Sequence, residues 1–338
     1  MRTRDYRKIW RLAVWLGLPL AMIASLGLGG VDLPFPLIAD VLLSKLGLTD
    51  PYWDPNLSDV ILKVRLPRLV LSVLVGGGLA VSGACFQTMF RNPLVAPEIL
   101  GVSAGAAFGA GLAMLARAEW WQIQLSAFVF GLLAVVVSYI VANLAAKGEI
   151  TALILGGLVV SSLGAGALGV IKALADPENI LPNIVFWLLG SFQNASSRDL
   201  AIYAPILALS LGILYFYRYS LEVLSAGEAE AATMGVSVRG ARLAGALAAT
   251  LMTAASVSVC GIVGWVGLIV PHLARFVEGS NFSRLAATSF CLGGLFLLAV
   301  DDAIRGVPGI DAPLGALTAL IGAPIFLIAL SKVRQTWA

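Results

Sequence analysis

Few residues of this chain are of a type that carries out chemistry. His272 is its only histidine, and it stands in a Pro-His pair within an apolar run. No lysine follows a glycine, so the phosphate-binding loop G-x-x-x-x-G-K-[ST] is missing, and so are H-E-x-x-H, G-x-S-x-G and zinc-ligand spacings. We therefore expect no catalytic residue, no cofactor-binding residue and no metal ligand, and we expect that the chain is not an enzyme.

Charged side chains inside the apolar runs are also scarce. Carriers driven by protons or sodium place ionisable residues deep in their membrane spans, because such costly groups mark the ion path. Asp301 and Asp302 are the exception here, and they lie near the end of a run beside Arg305. An ion-coupled secondary transporter is therefore the less favoured alternative, and the energy for any transport must come from elsewhere.

The elements that position these residues are membrane helices. Of the 338 residues, 59% are hydrophobic and 12% are charged, whereas soluble domains carry roughly 25% charged residues. A helix needs about 20 apolar residues to cross a bilayer, and the alternating strands of membrane barrels are missing. We predict an all-α, polytopic protein with a single transmembrane domain over 1–338.

Ten transmembrane helices are predicted. The stretch 243–277 decides the count, since as one helix it would reach roughly 50 Å against a bilayer core of about 30 Å. Gly261, Gly264, Gly267 and Pro271 can break it into two short spans. We predict that Asn92 caps the third span. The spans are placed near 12–30, 66–90, 93–116, 120–144, 152–175, 200–217, 243–260, 262–277, 285–304 and 312–331.

The distribution of basic residues orients these spans. Most arginines and lysines, including those of the N-terminal stretch 2–11, fall on one side, which the positive-inside rule assigns to the cytoplasm. With ten spans both termini are then cytoplasmic. Arg65, Arg68 and Arg305 remain outside, against this bias. A negatively charged protein surface would explain them, as lipid headgroups or helix capping also would.

The longest inside loop, about 218–242, is rich in helix-forming residues. Alanine, glutamate and methionine favour a helix there, and Gly227 and Gly235 can delimit it. The loop is either a solvated connector or a docking helix for a cytoplasmic motor.

Several short motifs follow one another in a fixed order: Arg65-Leu-Pro-Arg68, Gly83, Gln87, Asn92-Pro-Leu94, Pro97, Leu100-Gly101, Gly105-Ala106, Gly264-x-x-Gly-Leu-Ile-Val-Pro-His-x-x-Arg275, Asp302-x-x-Arg305 and Pro313-x-Gly315-x-x-Thr-Ala-Leu-Ile-Gly-Ala-Pro324. Over nearly the whole chain, their order and spacing resemble the permease family that imports iron-siderophores, haem and cobalamin, often called the FecCD family.

The resemblance implies a type II ATP-binding-cassette (ABC) importer in a bacterial or archaeal cytoplasmic membrane. Its expected partners are a second permease copy, two ATPase subunits that hold ATP and magnesium, an extracytoplasmic binding protein and membrane lipid, but no nucleic acid. The implied substrate is an iron chelate, haem or cobalamin, and an oxyanion such as molybdate is the alternative.

The resemblance also implies roles for particular residues. Arg65, Arg68 and Arg305 match arginines that bind acidic residues of the binding protein. The turn at Ile150-Thr151 matches the cytoplasmic gate, although the family's pair of small hydroxyl residues is reduced to Thr151.

The segment that matches the family's coupling helix is Glu228–Gly235. Within it, Glu228, Glu230, Ala231 and Gly235 are the candidate contacts with the ATPase. Met234 stands where the family usually has leucine.

Overall fold

A computed structural model describes residues 2–29, 33–45, 47–50, 53–145, 150–279, 281–306 and 312–333. Within these ranges the regular secondary structure is helical throughout. A π-helical stretch, Val60–Arg65, joins α3 to α4, and a 3₁₀ turn, Pro97–Leu100, precedes α5. The α-helices are α1 (Arg2–Gly27), α2 (Phe35–Lys45), α3 (Pro55–Asp59), α4 (Leu66–Met89), α5 (Val102–Leu115), α6 (Trp120–Ala145), α7 (Ile150–Leu174), α8 (Ile180–Leu189), α9 (Ser197–Phe216), α10 (Arg218–Ala226), α11 (Glu228–Thr233), α12 (Val238–Cys260), α13 (Val266–Glu278), α14 (Phe282–Arg305) and α15 (Leu314–Val333).

Each of the ten predicted spans coincides with a helix, which confirms the polytopic all-α fold. These helices are α1, α4, α5, α6, α7, α9, α12, α13, α14 and α15. Among the described residues, seven helical stretches are long and apolar enough to cross a membrane, whereas α5, α13 and the part of α15 from Leu314 to Ala329 are shorter. We call the end of the bundle that holds Asp301 the predicted outer end, and the opposite end the predicted inner end.

The predicted break in the stretch 243–277 is present. Helix α12 ends at Cys260, Gly261 follows with a positive φ of 74°, which favours glycine, and α13 starts at Val266. The first turn of α13 lies against the middle of α4, where Gly83 touches the backbone carbonyl of Gly267. Helix α13 therefore begins part-way along α4 and is short for that reason.

The third span begins later than predicted. Asn92 does not cap a helix; its side chain accepts the backbone N–H of Leu94 at 2.9 Å in a local turn. Ala96 is extended (φ −108°, ψ 157°), as a residue before proline tends to be, so a helix cannot run through Pro97. The α-helix starts only at Val102, after Gly101 in the left-handed region.

Helix α4 is the central element of the bundle. It is buried along almost its whole length and packs against α9, α12, α13 and α14. Glycines make the closest of these contacts: Gly76 lies against the backbone of Gly293 in α14, and Gly83 against that of Gly267 in α13. Such glycines let helix backbones approach closely, which is how helices associate in lipid.

Two helices of about ten residues each, α2 and α8, were not predicted. They are too short to cross a bilayer, so the length and apolarity that predict a membrane span do not reveal them. Helix α8 packs against α5 and α15 near the predicted outer end.

Candidate functional sites at the two ends of the bundle

The first candidate site is a cluster of arginines and aspartates at the predicted outer end. Arg68 binds the carboxylate of Asp301 through two nitrogens, with Nη2–Oδ1 at 2.8 Å and Nε–Oδ2 at 3.0 Å. On the other side of that carboxylate, Arg305 Nε lies 3.1 Å from Asp301 Oδ2. Asp301 is fully buried, so its charge is balanced by these two guanidinium groups.

The cluster extends from Arg305 to the end of α1. Arg305 also pairs with Asp302 and donates to Ser25 Oγ at 2.6 Å, and Ser25 in turn donates to Asp302 Oδ1 at 2.7 Å. Arg65 donates to the backbone carbonyl of Leu26 at 2.7 Å. The structure therefore brings Arg65, Arg68 and Arg305 together, where they tie α1, α4 and α14 to one another.

The same contacts leave little of these arginines at the surface. Arg65 is 5% exposed, and the side chains of Arg68 and Arg305 are 15% and 9% exposed. A binding protein would have to compete with carboxylates and carbonyls inside the subunit. The docking role of the three arginines stays a prediction, and the structure adds a structural role that the sequence did not indicate.

The second candidate site is the coupling segment at the predicted inner end, which is helical as predicted. It consists of α10 and α11, joined at Gly227. Ala231 is fully buried against the bundle, whereas Glu228, Glu230 and Gly235 are exposed. Glu228 pairs with Arg242 of α12, so that α11 is tied to a membrane helix.

Gly235 ends α11 in a Schellman motif. Its φ is 73°; its N–H binds the carbonyl of Ala232 at 3.1 Å, and the N–H of Val236 binds that of Ala231 at 2.9 Å. An added Cβ at Gly235 would meet no atom within 4 Å. The glycine is thus required by the backbone conformation, not by packing inside the subunit.

The predicted gate residues lie at the first turn of α7. The helix begins at Ile150, and Thr151 is exposed. Residues 146–149 and the side chain of Ile150 lie outside the described part of the structure. The gate role of both residues stays a prediction.

Comparison with known proteins identifies the family. A profile of the FecCD transport family matches residues 17–332. The chain belongs to the FecCD transport family. Among curated proteins, it is 34% identical over 335 residues to the molybdate import system permease protein MolB of Haemophilus influenzae, covering 99% of this chain and 98% of that protein.

Other FecCD relatives carry different substrate names. The chain is 35% identical to the cobalamin import system permease protein BtuC of Halobacterium salinarum, over 97% of this chain and 88% of that protein. It is 31% identical to the hemin transport system permease protein HmuU of Yersinia pestis, over 95% and 96% of the two chains.

A solved structure shares this FecCD fold. It is described as an inward-facing conformation of an ABC transporter of metal-chelate type, and it superposes with a TM-score of 0.85. The two chains are 33% identical, and the match covers 96% of this chain and 99% of that one. The family and the fold together make this chain a multi-pass membrane permease of the ABC transporter class.

Proposed function

We propose that this FecCD-family permease is the membrane-spanning subunit of an ATP-driven importer that carries an iron chelate, haem or cobalamin into the cytoplasm. The observation that carries the proposal is the match, over nearly the whole chain, to an ABC transporter of metal-chelate type. The sequence has no phosphate-binding loop, which supports placing ATP and magnesium on a partner ATPase. The exposed helix α11 is the surface we assign to that ATPase.

A second candidate substrate is an oxyanion such as molybdate. It is favoured by the molybdate permease among the relatives, which the chain matches over nearly the full length of both proteins. The two candidates share the same assembly and the same source of energy, so that they differ only in the ligand that is carried.

The proposed assembly has two permease copies, two ATPase subunits and an extracytoplasmic binding protein in the inner membrane, with both termini cytoplasmic. A face of α7 supports the second copy, because it is exposed over the full length of the helix and includes glycines that meet nothing within 4 Å. Small residues of this kind allow close helix contacts in lipid. The face consists of Thr151, Leu155, Leu158, Val159, Ser162, Leu163, Ala165, Gly166, Gly169, Val170, Ala173 and Leu174.

The first test concerns the source of energy. We expect the purified permease to hydrolyse no ATP in lipid nanodiscs, and hydrolysis to start when its cognate ATPase is added. In proteoliposomes that also contain the binding protein, uptake of the ligand should then require ATP. ATP hydrolysis by the permease alone, at a rate that follows the permease through every purification step, would contradict the proposal.

The second test concerns the coupling segment. Glu230→Lys reverses a charge on the exposed face of α11, and we expect ATP-driven uptake to fall at least tenfold because a repulsive contact forms at the proposed ATPase surface. Glu178→Lys is the matched control, since Glu178 is equally an exposed glutamate but lies at the predicted outer end. Thermal unfolding should be unchanged in both variants.

If Glu230→Lys supports normal uptake and normal binding of the ATPase, α11 is a connector and the coupling role is wrong. The importer assignment would survive that result, because it depends on the family match and not on this helix.

A further inference from the structure

A cavity of about 830 Å³ lies beside α8 near the predicted outer end. We call it the α8 cavity. The end of α5, the start of α6, the loop before α8, α8 itself and the break after α12 all contribute to its walls. None of the arginines, coupling residues or gate residues described above lines it, so that it is a feature separate from those sites.

Polar side chains and aromatic rings make up nearly half of the lining of the cavity, and small or aliphatic residues make up the rest. Trp120, Phe186 and Trp187 supply the rings. The indole N–H of Trp187 is buried and has no acceptor among the described residues. The polar lining residues are Arg117, Asp176, Asn179, Asn183, Ser191, Gln193 and Asn194.

Asp176 is the one acidic residue of this lining, and its carboxylate is already occupied. It accepts hydrogen bonds from Asn179 Nδ2 at 2.8 Å and from the N–H of Glu178 at 3.2 Å. These two bonds hold the pKa of Asp176 below its ordinary value, and the guanidinium of Arg117 adds to the effect. The lining therefore offers a ligand the guanidinium of Arg117, which only donates, and amide and hydroxyl groups, which both donate and accept.

The back wall of the cavity is fixed by backbone contacts. The N–H of Ser191 binds the carbonyl of Cys260 at 2.8 Å, and the N–H of Leu314 binds that of Gly190 at 3.0 Å. Gly261 packs against the carbonyl of Trp187 so closely that a Cβ would not fit. Because α8 is held to α12 and α15 in this way, the cavity is formed before any ligand arrives, which favours binding.

Arg117, at the cavity wall, occupies a position where glycine is usual. It follows the C-terminus of α5 with φ 55°. Its N–H binds the carbonyl of Met114 at 2.9 Å, and the N–H of Ala118 binds the carbonyl of Ala113 at 3.0 Å. This is a Schellman motif, whose left-handed residue is most often glycine because a side chain is unfavourable there. A strained residue at a cavity wall is a candidate functional residue.

We propose that the α8 cavity binds an oxygen-rich organic chelate during import, with Arg117 and Asn183 as donors and the rings of Trp120 and Phe186 as apolar walls. The inference rests on the proposed function and adds a binding site to it. The cavity has the volume of sites for drug-sized ligands, and rings with a few placed donors are typical of such sites. A bare oxyanion is a poorer fit, because one guanidinium and scattered amides do not converge on a small anion.

The test measures ligand binding to the permease–ATPase complex in nanodiscs, without the binding protein, by calorimetry and tryptophan quenching. The probes are a ferric trihydroxamate, a ferric tricatecholate, hemin, cobalamin and molybdate. We expect at least one organic probe to bind, and Arg117→Gly to weaken its binding about tenfold, since a charge-assisted hydrogen bond is lost.

Arg91→Gly is the matched control. Arg91 has φ 49° at the end of α4, where its N–H binds the carbonyl of Thr88 and the N–H of Asn92 binds the carbonyl of Gln87, but Arg91 does not line the cavity. Glycine relieves the backbone strain in both variants, so neither should unfold at a lower temperature than the parent protein. Loss of binding in Arg117→Gly alone then reports the missing guanidinium and not a damaged fold.

Asn183→Leu provides a second variant, because Asn183 is an exposed residue of α8 and the change replaces an amide at the cavity wall with an apolar side chain. The proposal is wrong if no organic probe binds, if molybdate alone binds, if both cavity variants bind normally, or if a retained phospholipid fills the cavity and is not displaced.

ATP-dependent uptake is measured in parallel. Normal uptake with normal binding in the variants would overturn the cavity site and leave the importer standing, whereas no uptake of any probe by the complete importer would count against the importer itself.

Discussion

Asp301→Asn should destabilise the folded protein by about 3–5 kcal/mol. The substitution keeps the size of the side chain but removes the charge that Arg68 and Arg305 share. Removing one partner of a buried ion pair costs this much because the remaining charge stays buried without compensation. Here two guanidinium groups are affected, although Asp302 still pairs with Arg305. We therefore expect the guanidinium of Arg68 to be the charge that is left without a partner.

Asp59→Asn is the matched control, since Asp59 pairs with Lys63 at 2.7 Å but both side chains are more than half exposed. Exposed pairs contribute less than about 1 kcal/mol. Thermal unfolding of the two variants would be followed in the same detergent. A double variant, Asp301→Asn with Arg68→Met, would be measured beside them. Equal midpoints for the two single variants would show that the cluster does not stabilise the fold.

The result bears on docking as well. A change of Arg65, Arg68 and Arg305 to glutamate would place carboxylates beside Asp301 and Asp302, so that a loss of binding-protein affinity could come from unfolding alone. Glutamine at these three positions, with affinity and thermal stability measured together at low and high salt, separates the two roles. Docking by these arginines would be refuted if the folded fraction keeps its affinity at low salt.

The sequence could locate the members of this cluster but not their pairing. Asp301 and Asp302 stood out as charges at the end of an apolar run, and Arg305 follows one helical turn later. Arg68 is 233 residues away from Asp301, and only the packing of α4 against α14 brings them together. Charge bias alone therefore could not show that these arginines also have partners within the subunit.

The spans were predictable because length and apolarity are set by the bilayer and can be read locally. The break at Gly261 was also predictable, since a helix through 243–277 would be too long for the membrane. The start of the third span was not, because Asn92-Pro93 is as good a helix start as the chain offers. What decides it is the extended residue before Pro97, together with the contact of Pro97 and Gly267.

The α8 cavity could not be found in the sequence for a different reason. Its walls come from four separate parts of the chain, and most of its polar residues are asparagines, glutamine and serine, which are ordinary in loops. No short motif joins them. Arg117 offers the one local signal, but a left-handed arginine can be recognised only once the backbone is known.

Gly83→Ala should have the second large effect, a destabilisation of about 3 kcal/mol or more. The added Cβ would overlap the carbonyl oxygen, carbon and Cα of Gly267, which are backbone atoms and cannot rotate away as a side chain can. Overpacking usually costs 1–3 kcal/mol, and the upper part of that range applies where nothing flexible can yield. Because Gly267 lies in the first turn of α13, the two helices would have to separate where α13 begins.

Gly212→Ala is the control that should show the opposite sign. Gly212 lies inside α9, and an added Cβ there would meet nothing within 4 Å. Alanine restricts the unfolded chain and favours the helix, so we expect a gain of roughly 0.5–1 kcal/mol. Thermal unfolding in detergent measures both variants. If Gly83→Ala is as stable as Gly212→Ala, the two backbones are not in contact and α13 does not begin against α4. If only Gly83→Ala is destabilised, the contact of α4 with α13 holds the short helix at the depth where the structure places it.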